Sequence, residues 1–164
     1  MKARLARMLE EAQDRRHDAD ILGSSLATRS DSQAFLRVLA FEVLLKAAVL
    51  ASGAARAGGH KYTELWDKLP ATTQDMILAV ARTRMPGNAD LSDLGRLFFW
   101  YQFVFERARY GYELYDGYTP EEVRELGKYW AELGAPIEEA LVQYYPSELE
   151  CLTEGLIQYV QSAL

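Results

Sequence analysis

FLRVLAFEVLLKAAVL, residues 35–50, is apolar on almost every side when wound as a helix, and it carries Glu42 and Lys46 four positions apart. A second stretch of the same kind, LGRLFFWYQFVFERARY, occupies residues 94–110. A helix that is apolar all round is a buried helix, so the few charges on it must be paired or put to use. In the second stretch and just past it, Gln102, Glu106, Arg109 and Glu113 are spaced four, three and four apart and line one face of a continuous helix. Glu42 and Lys46 can pair within their helix, and Arg109 can pair with Glu106 or Glu113. If the two stretches pack together, their polar stripes can also meet as Glu42 with Arg109 or Lys46 with Glu106.

The rest of the chain reads as helix around these two. An amphipathic helix is predicted from Met1 to about Thr28, weakening at Gly23-Ser24-Ser25. Ser30 or Asp31 is the predicted N-cap of the second helix, which should run to about Ala57 and stop at Gly58-Gly59. Leu65, Trp66 and Leu69 mark a short helix ended by Pro70. Thr72 or Thr73 should cap a helix through about Arg84, with Ile77, Val80 and Ala81 inward. After the loop Met85-Pro86-Gly87-Asn88, a long helix is predicted from Asp90 or Ser92 to about Tyr115.

Thr119-Pro120-Glu121-Glu122 is a strong helix start, and Gly134 the matching stop. Ala135-Pro136 should open another helix, with Ile137, Ala140 and Leu141 inward, and Ser147-Glu148-Leu149-Glu150 a final one reaching close to Leu164. The expected fold class is all-α: one helical domain over residues 1–164, an up-and-down bundle with additional C-terminal helices.

Composition narrows the function classes. Hydrophobic residues at 49% and charged residues at 26% suit a globular protein. No run reaches the ~20 apolar residues of a membrane-spanning helix, and the basic start at Lys2, Arg4 and Arg7 is interrupted by Glu10, Glu11 and Asp14. No membrane association or secretory signal is expected, and the cytoplasm is the expected location. One cysteine, Cys151, excludes an internal disulfide framework. The net charge is −6, unevenly spread: residues 1–109 hold 16 Lys/Arg against 13 Asp/Glu, residues 110–164 hold 2 against 11. An acidic last third repels a phosphate backbone, so a nucleic acid or nucleotide site belongs on the first two thirds.

Two readings of the charged groups stand side by side. They can close the core and fix helix register, or open to a cleft in which Arg107 or Arg109 grips a phosphate through its planar guanidinium. His60 can hydrogen-bond a helix end or the central carboxylates, or act as a general base or phosphate contact. Neither a metal-ligand spacing, a phosphate loop nor a nucleophile elbow is present, and no metal or cofactor is expected. Tyr101, Tyr110, Tyr112, Tyr115, Tyr118, Tyr129, Trp130, Tyr144 and Tyr145 form an aromatic surplus that suits a core or a dimer surface.

Three segments together resemble the HEPN superfamily (higher eukaryotes and prokaryotes nucleotide-binding domains). These are Phe41-Glu42-x-x-x-Lys46, Gly59-His60 ahead of Leu65-Trp66-x-x-Leu69, and Glu106-Arg107-x-Arg109-Tyr110. The likeness covers roughly residues 20–115 as a bundle core, leaving 116–164 as a helical extension packed on it. The resemblance implies a bundle that homodimerises, and either an RNA-cutting enzyme or a non-catalytic module, often in toxin–antitoxin or defence systems. The nuclease motif of the family is Arg, four to six residues, then His. Counting from Arg107 gives Tyr112, Glu113 and Leu114, and from Arg109 gives Leu114, Tyr115 and Asp116, so this motif is absent.

The leading expectation is therefore a non-catalytic binding or partner module, a homodimer or one with a protein partner. One alternative is a divergent metal-independent ribonuclease using Arg107 or Arg109 with His60 or Tyr110. Another is a small-nucleotide binder with Lys46, His60 and Arg109 around the ligand. Glu42, Lys46, His60, Glu106, Arg109 and Tyr110 are the candidate binding residues.

Overall fold

In a computed structural model, which describes residues 1–25 and 31–164 (and only the backbone of Ser25, Asp31, Ala108, Arg109 and Gly111), the apolar pattern becomes seven α-helices, with no strand among the described residues. They are α1 (Lys2–Ser25), α2 (Asp31–Ala51), α3 (Tyr62–Trp66), α4 (Ala71–Arg84), α5 (Leu94–Arg107), α6 (Pro120–Glu132) and α7 (Pro146–Ser162). Short 3-10 turns follow α5 and α6, at Ala108–Tyr115 and Ile137–Glu139. The chain is an all-α helical bundle, and none of its described helices is long and apolar enough to cross a membrane.

α2 is the axis, as its composition requires. Phe41, Leu44, Leu45, Ala47, Ala48 and Val49 are fully buried, and α1, α3, α5 and α7 all pack on it. Alanines at 40, 47 and 48 keep that helix thin enough for close neighbours. α1 contributes one stripe, Leu5, Leu9, Ala12 and Ala19, while α7 inserts Leu149, Leu152, Leu156 and Val160 between α2 and α4. An ionic knot secures these helices from outside. Glu150 on α7, mostly buried, meets Arg16 of α1 at 2.7 Å, Arg84 of α4 at 3.6 Å and Arg37 of α2 at 3.9 Å.

Several boundaries differ from the sequence expectation. α2 ends at Ala51 and not near Ala57, because Gly53 adopts φ 97° and closes the helix, with Gly53 N–H donating to Leu50 O and Ala54 N–H to Val49 O. α4 starts after Pro70 with no side-chain cap; Thr73 lies buried inside it, so neither Thr72 nor Thr73 is the cap. α5 begins at Leu94, just after the expected start at Asp90 or Ser92, and the carboxylate of Asp93 accepts from Arg96 N–H.

That helix also stops at Arg107, well short of Tyr115. Tyr110, at φ −126° and ψ 48°, breaks the helical run. The expected helix after Pro136 is a single 3-10 turn, and Ile137 and Leu141 are exposed and not inward. α7 has no capping box, since Tyr145 holds the cap position and Glu148 accepts instead from Asp90 N–H at 2.9 Å. Ser30 and Thr28 lie outside the described residues, as does the side chain of Asp31.

The start and stop of α6 follow the sequence. Thr119 and Glu122 form the full capping box with Pro120 at the first helical position, and Gly134 ends the helix. Yet α6 buries none of its residues.

Candidate functional site

Glu42 is the one charged side chain among the buried residues described, 4% exposed at the centre of α2. A lone carboxylate there would cost several kcal/mol in lost hydration, and three donors meet it. Lys46, one helical turn on, brings Nζ to 2.8 Å from Oε1. His60 places Nδ1 2.9 Å from the same oxygen. The hydroxyl of Tyr62, itself fully buried, donates to Oε2 at 3.0 Å. Lys46 arrives by helical spacing alone, whereas His60 and Tyr62 arrive because the chain after α2 turns back and enters α3 across it.

Aromatic rings wall the cluster. The imidazole of His60 stacks on Phe105 of α5 at 5.2 Å and 17°, and Phe105 stacks in turn on Phe35 at 5.7 Å. Tyr62 stands edge-on to Phe41 at 5.6 Å. The ring of His60 is thereby fixed on one face by Phe105 and at one nitrogen by Glu42, although its side chain is 56% exposed. With Nδ1–H donating to the carboxylate, Nε2 is the free-standing ring nitrogen, and no described residue bonds to it. Chemically, this is a carboxylate-oriented imidazole at the rim of a buried ion pair.

The remaining candidates lie elsewhere. Glu106 is exposed and accepts from Gln102 Nε2 at 2.9 Å, so Lys46 does not meet Glu106. Arg107, also exposed, lies 3.7 Å from Glu113. Tyr110 is exposed and edge-on to Tyr112. The side chain of Arg109 lies outside the described residues, and with it the expected Glu42–Arg109 contact. The polar row 102–106–109–113 is not one helical face, because α5 ends at Arg107.

Where α2 and α5 touch, the contact is aromatic: Phe41 meets Phe98 at 6.0 Å and Tyr101 at 5.7 Å. Those rings fill the side of α5 toward α2; Glu106 and Arg107 are exposed at its end, and Arg96 lies over the ring of Tyr145 at 5.1 Å. The expected ionic seam between two apolar helices is thus corrected to a cluster that belongs to α2, the following loop and α3.

Tyr62 escaped the sequence reading. Its signal was its place two residues after His60, at the mouth of a helix that folds onto α2. The tyrosines divide between the two proposed roles: Tyr101 and Tyr145 are core, while Tyr110, Tyr112, Tyr115, Tyr118 and Tyr129 are exposed. Burial pushes the Tyr101 hydroxyl well above its ordinary value, with the Glu148 charge adding to it, and burial raises Tyr144 to about 12. Open clefts of about 400 Å³ and about 300 Å³ lie away from Glu42, the first lined by Val80, Thr83, Arg84, Glu154 and Gln158, the second beside Met85 and Leu91. Against protein-family models, curated proteins and solved structures, the chain has no match.

Proposed function

We propose that the protein is a non-catalytic, HEPN-like helical module that acts by binding a protein partner, in a cytoplasmic toxin–antitoxin or defence setting. The observation that carries this reading is α6. It is a capped amphipathic helix that buries none of its residues and leaves Leu126, Tyr129 and Leu133 exposed, preceded in the chain by the exposed tyrosines of residues 110–118. Large exposed apolar patches mark interaction surfaces. The groups that would grip a phosphate are already engaged: Lys46 and His60 with Glu42, and Arg107 with Glu113. The homodimer belonging to this reading uses the outer face of α5, where Phe99, 60% exposed, packs edge-on against Trp100 and beside Phe103.

Incubation of the protein with mixed single-stranded RNA, with and without divalent metal, tests the first half of the proposal. No turnover is expected. Cleavage beyond stoichiometry that disappears in Arg109→Ala or His60→Ala would overturn it. A second reading, a divergent metal-independent ribonuclease, draws on the Glu42–His60 pair, since a carboxylate that holds Nδ1 leaves Nε2 to take a proton. It predicts the opposite result in the same assay.

A further inference from the structure

We propose that α6 is a lid that closes over the outer face of α5, an inference that rests on the binding-module reading above because closure masks both of its docking surfaces at once. Each helix leaves an apolar side uncovered. On α5, Phe99 is 60% exposed, and its ring meets Trp100 at 5.3 Å and Phe103 at 6.3 Å. On α6, Val123, Leu126, Trp130 and Leu133 follow at intervals of three, four and three and form one seam, while Glu121, Arg124, Glu125, Lys128 and Glu132 share the opposite side. Leu126 is 49% and Leu133 54% exposed, and no other described helix packs along α6.

The path of the chain brings these two sides together. α5 ends at Arg107 and α6 begins at Pro120, so residues 108–119 start the lid from the C-terminal end of α5. The chain rejoins the bundle at Tyr145, beside the N-terminal half of α5. There the Tyr101 hydroxyl donates to Tyr145 O at 2.9 Å, and the Arg96 guanidinium lies over the Tyr145 ring. The two roots of the lid therefore flank α5. At about 1.5 Å per residue, α5 with 14 residues and α6 with 13 are both roughly 20 Å long. Laid antiparallel, α6 spans the aromatic face from end to end, and its connections reach easily at ~3.3 Å per extended residue.

Shape and charge fit the closed arrangement. Counting back along α5 from residue 107 while counting forward along α6 from residue 120 sets Trp100 opposite Gly127. A Cβ built at Gly127 meets nothing within 4 Å, so the indole has a notch to enter. Phe103 then lies over Val123 and Leu126, and Phe99 over Leu126 and Trp130. The five charged side chains on the far side of α6 stay in water, so closure strips none of them of hydration. Because the capping box and the turn at Gly134 close within the segment, α6 moves as a finished helix. Gly117 at φ 92° and Gly134 at φ 86° stand at either end of it as hinges.

The test is a pair of double-cysteine variants of the full chain, treated at low protein concentration with oxidised glutathione; Cys151 is fully buried and stays out of the exchange. Phe99→Cys with Leu126→Cys puts both thiols on the facing sides, whereas Phe99→Cys with Lys128→Cys puts the second on the far side of α6. The facing pair is expected to form its intrachain disulfide at least about tenfold faster, read by mass spectrometry of unreduced digests. Gly127→Leu fills the notch, and added to the facing pair it should slow that disulfide at least about tenfold. The thermal midpoint should not move, because α6 buries none of its residues. In the otherwise native chain, Gly127→Leu should self-associate at least about tenfold more tightly than wild type in sedimentation equilibrium, since an open lid bares the α5 face.

Equal rates for the two pairs, or a facing pair indifferent to Gly127→Leu, overturns the lid. A Gly127→Leu dimer no tighter than the wild-type dimer overturns its masking role. Should neither protein self-associate while the facing pair still closes selectively, the homodimer of the binding-module reading falls and the lid stands, so the two failures are told apart.

Discussion

Removing the carboxylate of Glu42 should be among the most damaging single changes to this bundle outside its aliphatic core. Glu42→Ala strands three donors at once. The fully buried Tyr62 hydroxyl loses its hydrogen bond to the Glu42 carboxylate, which costs about 1–3 kcal/mol. Lys46 loses its partner at 2.8 Å. Breaking a buried pair costs about 3–5 kcal/mol, but the Lys46 side chain is one fifth exposed and regains some water. His60 adds little, because more than half of its side chain is already wet.

The sum favours the lower end, about 3 kcal/mol, which for a chain of this size lowers the melting midpoint by roughly 6–12 °C. Urea unfolding followed by far-UV circular dichroism would measure it, together with the cycle Glu42→Gln, Lys46→Met and the double variant. The pair should show a coupling of roughly 1–2 kcal/mol, so that Lys46→Met is cheaper once Glu42 is gone. Tyr62→Phe should cost about 1.5 kcal/mol and His60→Ala less. A loss below about 1 kcal/mol in Glu42→Ala, or the absence of coupling to Lys46, would refute the view that this cluster is a satisfied buried ion pair.

Three further outcomes follow from other parts of the fold. Gly155→Ala places a Cβ 2.4 Å from the carbonyl oxygen of Ile77, so α4 and α7 must part and stability should fall by about 1–3 kcal/mol in thermal unfolding; an unchanged midpoint would mean that the two backbones are not in contact. Tyr101 and Tyr144 both have raised pKa values from burial, Tyr144 to about 12. Their stabilisation is whole below the unfolded value near ~10 and drains away as pH climbs toward and past the folded value, so urea midpoints should drop from about pH 10 upward. The variant with Phe at both positions should show a shallower drop, and an identical slope would remove these two groups from the account. Thr119→Ala deletes the capping box of α6 and should speed amide exchange in its first turn, a local loss of about 1 kcal/mol, with no shift in global melting because α6 buries nothing.

Glu42 and Lys46 were legible from their four-residue spacing and His60 from its expected contact with the central carboxylates, and the structure brings these three together. It does not join them to Glu106, the expected partner of Lys46 across the two apolar helices, or to Arg107. Continuous helix was assumed through residue 115. The assumption failed because Tyr110 leaves helical geometry, an event governed by how one turn packs and not by the propensities of Arg-Ala-Arg-Tyr. The local signals that held were self-contained: Thr119-Pro120-x-Glu122 closes its own hydrogen bonds, whichever surface α6 meets.

From the amino-acid order alone came the helices, the burial of residues 35–50 and the Glu42–Lys46 pair, because periodicity and i to i+4 spacing act within one segment. Tertiary structure alone decided that Tyr62 joins that pair, that aromatic rings and not charges fill the contact between α2 and α5, and that the seam of α6 stays open. An amphipathic pattern says that a face must be covered. It does not say whether the cover comes from the same chain, since that depends on where a distant helix has already spent its own apolar surface.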